Sequence, residues 1–193
     1  MDKITALILL NGILDFGKQT IRRPFVLEFK NIYNGEPIKF EQYRQNSGLV
    51  RRRLDEMNFG NTKAITRTML AWQTFRNPAQ ELPPLGADLQ IEHISAKRRQ
   101  ENHHVLQNAE ALEFLGNKAL LEKRINIRAS DYRLVDKRIF YFGDGKSKPG
   151  TFNLELRRLA EEHDDFTESD ILDRNEEIFD AFIAYLREQD LLT

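Results

Sequence analysis

The sequence predicts an α+β protein, mostly helical, with a short two-strand element between helical flanks. Three observations predict it. Apolar residues recur at helical spacing through most of the first 80 residues and again after residue 170. Pro83-Pro84-Leu85-Gly86 breaks the chain. Directly after that break, Leu89-Gln90-Ile91-Glu92-His93-Ile94 alternates apolar and polar, the period-two signature of a strand. The length of 193 residues suits one domain, or one domain with a helical annex. A content of 40% hydrophobic and 31% charged residues is that of a globular chain, not a disordered one.

The elements follow in order. Leu7, Leu10 and Leu14 fall on one helical face, with Ile8 and Phe16 nearby. The apolar run over residues 4–14 is shorter than the ~20 residues that span a bilayer. Its flanks carry Asp2 and Asp15, which argues against a signal peptide and for a buried helix in a cytoplasmic protein. Pro24 predicts the start of a second helix through Phe25, Leu27, Phe29 and Ile32, ending at Asn34-Gly35. Residues 41–57, with Arg51-Arg52-Arg53, are expected to be helical after Gly48. Asn61-Thr62 is expected to cap a helix to Phe75, with Ile65, Met69, Leu70 and Trp72 inward.

After the first strand, Lys97-Arg98-Arg99-Gln100 reads as a charged loop and Asn102 to Leu115 as helical, ending at Gly116. Lys118-Ala119-Leu120-Leu121 reads as a second short strand. Ser130 is expected to cap a helix carrying Leu134, Ile139 and Phe142, followed by a surface loop over residues 143–150. Thr167-Glu168-Ser169-Asp170 resembles a capping box with Asp at its fourth position. The helix after it places Ile171, Ile178, Phe182 and Leu186 on one face. The expected division is a helical region over 1–85, a strand-bearing core over 86–150 and an acidic helical region over 151–193.

Charge and composition narrow the function. There is no Cys, which excludes disulfides, thiolate zinc sites and a Cys nucleophile. The net charge of −1 hides an uneven distribution. Residues 1–90 hold 13 basic and 9 acidic side chains, residues 91–150 hold 12 and 8, and residues 151–193 hold 4 and 13. The acidity is therefore confined to the end of the chain, and the rest is basic enough to attract a polyanion.

Glu92-His93 in the first strand, Asn117 before the second and Asn126 nine residues later make one candidate constellation. Carboxylate and amide oxygens are hard ligands that suit Mg2+ or Mn2+. A neutral imidazole beside them can take a proton from water that attacks a phosphodiester. His103 and His104 are adjacent, do not share a helix face, and are read as surface residues.

The wording around these residues carries a resemblance. Ile91-Glu92-His93-Ile94, then Leu115-Gly116-Asn117-Lys118-Ala119-Leu120-Leu121-Glu122, then Ile125-Asn126, then Lys137 resembles the C-terminal nuclease domain of GmrSD-type modification-dependent restriction systems. That domain belongs to the HNH, or His-Me finger, superfamily. Phe166-Thr167 with Ile171 and Arg174 is similar to the family's tail, and the resemblance covers about residues 60–187. Two positions depart from the family's wording: Ala96 stands where it has Pro, and Lys118-Ala119 where it has Leu-Thr.

The resemblance implies a ββα-metal core and metal-dependent cleavage of DNA, modified phage DNA included, in restriction or phage defence. It implies His93 as general base, Glu92 and Asn126 as ligands of Mg2+ or Mn2+, and Asn117 as a brace that helps orient His93. Lys137 would face the scissile phosphate, with Arg124, Arg128 and Lys118 on the nucleic acid. An N-terminal sensor domain or a partner chain is the further implied partner. The alternative is a catalytically inactive DNA-binding or assembly module of a restriction system.

Overall fold

The computed structural model describes residues 2–14 and 18–193. Among them the protein is mostly helical, with one two-stranded antiparallel sheet, as the periodicities predict. Phe16 lies outside the described residues. No described helix is long and apolar enough to cross a membrane. The chain packs as two compact units, Met1–Met57 with Phe179–Thr193, and Asn58–Ile178. The last helix contributes to both units.

The first unit holds α1 (Asp2–Ile13), α2 (Lys18–Asn34), α3 (Ser47–Glu56) and the end of α9 (Glu168–Glu188). Leu7, Leu10 and Leu14 are buried as expected, but Ile8 is exposed. α2 does not start at Pro24; it begins six residues earlier and runs through the proline. A proline inside a helix removes one N–H donor, which makes it a poor guide to the boundary here. Leu27, Phe29 and Ile32 on this helix are exposed. α3 starts one residue before Gly48, where the Asn46 side chain accepts the Leu49 N–H at 3.0 Å. Of the three consecutive arginines, Arg51 is paired with Asp55 at 2.9 Å and Asp180 at 2.8 Å.

The second unit holds α4 (Ala64–Phe75), β1 (Leu89–His93), α5 (Lys97–His103), β2 (Lys118–Glu122), α6 (Lys123–Ala129), α7 (Leu134–Phe142), α8 (Leu154–Glu162) and the start of α9. α4 has Lys63 at its N-cap and no side-chain cap from Asn61 or Thr62. Met69 and Leu70 are buried, while Ile65 and Trp72 are half-buried. Residues 97–100, expected as a loop, form the first turn of α5. The expected helix over 102–115 resolves instead into the end of α5 and two short 3-10 turns. Seven residues carry too few apolar positions to show a helical period. Ser130 does not start the next helix, whose N-cap is Arg133; it is the C-cap of α6, with a positive φ of 42°. α8 was not foreseen.

The core of this unit gathers Ile94, Ala119, Leu121, Ile125, Leu134, Tyr141, Leu156, Phe166 and Ile171. α9 is seated against the loop before β2 with almost no gap. A Cβ on Gly116 would stand 2.0 Å from the Ile171 carbonyl oxygen, so only glycine fits there. Arg174 donates to the carbonyls of Gly116 at 2.7 Å and Lys118 at 2.9 Å, and forks onto Glu155 at 3.0 and 2.9 Å. Burial works to raise the Glu155 carboxyl, but the Arg174 guanidinium holds it below the usual carboxylate range.

The capping box forms with its unusual Asp. Thr167 donates its N–H (2.8 Å) and its hydroxyl (2.6 Å) to Asp170, and the Asp170 N–H returns to Thr167 Oγ1 at 3.3 Å. Thr167→Ala is expected to cost about 1 kcal/mol, the usual effect of losing an N-cap. In a chain of this size that lowers the melting midpoint by roughly 2–4 °C, measurable by thermal denaturation.

Candidate active site

β1 and β2 pair antiparallel, with Glu92 opposite Ala119 and His93 opposite Lys118. Successive side chains of a strand point to opposite faces. Gln90 and Glu92 therefore share one face of the sheet, and Leu89, Ile91 and His93 the other. Asn117 ties the two strand ends together. Its side-chain oxygen accepts the Ser95 N–H at 2.7 Å, and its amide donates to the carbonyls of Ser95 at 3.1 Å and Leu112 at 3.2 Å. Its own carbonyl takes the Ile94 N–H at 2.9 Å.

On the first face, Glu92 is buried against α7. Its Oε1 accepts from the Lys137 ammonium at 2.5 Å and from the Tyr141 hydroxyl at 2.9 Å. Lys137 and Tyr141 are four residues apart on α7, so both project from one side of that helix. Lys137 also donates to the carbonyls of His93 at 2.9 Å and Ile94 at 3.2 Å. An ammonium has three donors, and all three are taken. Burial pushes the Glu92 carboxyl up, and Lys137 and Tyr141 oppose that.

On the other face, the His93 ring is largely enclosed. Its Nε2 is buried with no hydrogen-bond partner among the described residues. A carboxylate oxygen of Glu113, Oε1, lies 3.7 Å away, beyond hydrogen-bond range. Glu113 is held by Lys118 at 2.5 Å, and Lys118 also reaches the Phe59 carbonyl at 2.6 Å and Asn61 Oδ1 at 2.9 Å. Burial, and then the Lys118 ammonium, pull the His93 imidazole down to about 4, with Glu113 acting the other way. The ring is therefore neutral at pH 7, and its burial disfavours the protonated form.

The remaining candidates separate. Asn126 lies inside α6 rather than before a helix, and its amide donates to Gln90 Oε1 at 3.1 Å. Arg124 and Arg128 sit four apart on the same helix, and the Arg128 guanidinium lies 5.8 Å over the Phe140 ring. Arg124 is exposed and Arg128 half-buried. Lys118, expected on nucleic acid, is buried with its three donors engaged, so it offers nothing to a phosphate. The same holds for Lys137. Each lysine would have to abandon buried partners to reach a backbone phosphate.

The metal set drawn from the resemblance does not fit these positions. The Glu92 oxygen is shared by an ammonium and a phenol, and His93 faces away from it. Two unit charges 4 Å apart repel by about 4 kcal/mol at an effective dielectric of 20, and a divalent ion beside Lys137 would double that. Among the described residues no group of three or more His, Cys, Asp or Glu side chains is arranged to hold a metal.

Residues 33–181 match the family model of the GmrSD restriction endonucleases, C-terminal domain. The chain belongs to that family. No curated protein and no solved structure matches it. Membership gives this GmrSD C-terminal domain a role in a restriction endonuclease system. It also spans all eight candidate residues, from Glu92 to Lys137.

Three neighbours of the site escaped sequence reasoning. Tyr141 had a usable signal, its four-residue spacing from Lys137. Glu113 and Gln90 had none, since each acts through a residue brought close only by folding.

The neutral imidazole has a measurable consequence. An unfolded histidine titrates near 6.5, so between that pH and about 4 the unfolded chain binds a proton that the fold refuses. Stability is therefore lost as the pH falls through this window. Urea unfolding at pH 7 and pH 4.5 is expected to show an extra loss of about 2–3 kcal/mol in the wild type compared with His93→Gln. Equal losses in both proteins would show that the ring is not buried neutral.

Proposed function

We propose that this domain is an HNH-type endonuclease that hydrolyses DNA phosphodiesters, modified phage DNA included, in restriction or phage defence. The observation that carries the reading is the enclosed His93 ring at the motif's histidine position, whose Nε2 has no hydrogen-bond partner among the described residues. An unpaired buried ring nitrogen costs stability and calls for an explanation, and proton transfer supplies one. In this reading Nε2 takes a proton from water, and the water oxygen bonds to phosphorus. The ester P–O bond breaks, and the leaving oxygen is protonated from solvent.

Asn117 supports the reading by pinning the segment that carries His93. β1, β2 and the following α6, with α5 and two 3-10 turns inserted between the strands, are the elements that a ββα core would use. Arg124 and Arg128 contact the DNA backbone, so affinity falls with salt, by roughly 0.9 in log–log slope for each phosphate contact. A divalent ion, Mg2+ or Mn2+, is part of the family resemblance. Because Glu92 does not fit it, no step here passes through that ion.

The test is incubation of the purified protein with plasmid and with phage DNA carrying modified bases, in Mg2+, in Mn2+ and in EDTA. Cleavage of either DNA is the expected result, and the EDTA arm reads the ion requirement. Intact DNA binding with no cleavage on any substrate would instead identify an inactive DNA-binding or assembly module. No gel shift at low salt would remove the DNA reading altogether.

A further inference from the structure

We propose that Glu92 is a positioning residue and not a metal ligand: through Lys137 it holds the backbone of His93 and Ile94, and so aims the His93 ring. The proposal rests on the reading of His93 as the base. Its geometry is independent of that reading. The pleat turns Glu92 toward α7 and His93 away from it, so one carboxylate cannot both meet Lys137 and stand beside the ring.

Lys137 is what connects them. One of its three donors goes to Glu92 and the other two to the carbonyls of His93 and Ile94. From the turn just before β2, Asn117 grips Ser95 by N–H and carbonyl. Residues 93–95 are thus pinned from two sides, and the imidazole leaves the strand in one direction. The Lys137 ammonium is wholly buried, and Glu92 is the only carboxylate paired with it among the described residues. Without that countercharge the ammonium would be driven toward water and the two carbonyls released. A cation bound at Glu92 would have to displace Lys137 and undo the same brace.

The experiment uses the full chain and Glu92→Gln, with histidine ring labels read by NMR and Mn2+ binding read by calorimetry. Gln keeps an oxygen for Lys137 and Tyr141, and retained far-UV dichroism checks the fold. The His93 ring signals are expected to shift while those of His103 and His104 stay. Mn2+ affinity is expected to remain within two-fold of the wild type. On DNA, kcat is expected to fall at least ten-fold with KM unchanged. A folded variant whose Mn2+ affinity drops ten-fold or more, or whose His93 signals do not move, overturns the proposal. If the wild type takes up no Mn2+, the ring signals decide. If the wild type cuts no DNA, the nuclease reading fails, while the ring signals still decide the brace.

Discussion

His93→Ala is expected to lower DNA cleavage by about 10²–10⁴-fold, the range that a positioned general base contributes. On the proposed reading the effect should fall on kcat, because the ring would act on the attacking water and not on the bulk of the DNA. DNA affinity and its salt slope should remain, since Arg124 and Arg128 are untouched. Stability should change little. The substitution removes packed ring atoms, but it also removes a buried nitrogen without a partner, and these two effects oppose each other. Single-turnover rates, gel shifts and a melting curve on the same preparation check all three statements. A rate within ten-fold of the wild type would show that another group activates the water.

Lys137→Met is expected to destabilise the fold by about 3–5 kcal/mol, the cost of stranding one partner of a buried ion pair. Glu92 would lose its counterion in a site where burial already pushes its carboxyl up, with only the Tyr141 hydroxyl left to it, so it must either stay charged and unpaired or take up a proton. At roughly 2–4 °C per kcal/mol for a chain of this size, the melting midpoint drops by about 6–20 °C. Adding Glu92→Gln to Lys137→Met removes the stranded charge and should recover more than half of the loss. A double-mutant cycle by urea unfolding measures the coupling. A cost under about 1 kcal/mol for Lys137→Met alone would mean that the pair is not desolvated as described.

Both strands were legible because each combines a distinctive local pattern with a break before it: Pro83-Pro84 for β1 and Gly116-Asn117 for β2. The capping box at Thr167 was legible because its chemistry is confined to four residues. Pro24 misled because a proline raises the probability of a helix start without requiring one. α5 was misread and α6 was not anticipated, because helices of seven residues show less than two full turns of pattern.

Within the site, the residue types and their order were written in the sequence. The fates of Lys118 and Lys137 were not, because a lysine is almost never fully buried unless paired. Their partners come from far along the chain: Lys118 meets Phe59 and Asn61, and Lys137 meets Glu92. Which face each residue of β1 presents follows from the pleat. What waits on that face does not.

The sequence alone determined that this chain is helical around two short strands, and its family resemblance grouped Glu92, His93, Asn117, Asn126 and Lys137 as one candidate motif. Only the tertiary structure decided that the motif divides across the sheet. Local patterns record how a side chain relates to its own helix or strand. Burial, the loss of water around a charge and the approach of a counterion depend on segments dozens of residues away. Those distant segments made Glu92 one half of a buried ion pair and left His93 as the ring with a free nitrogen.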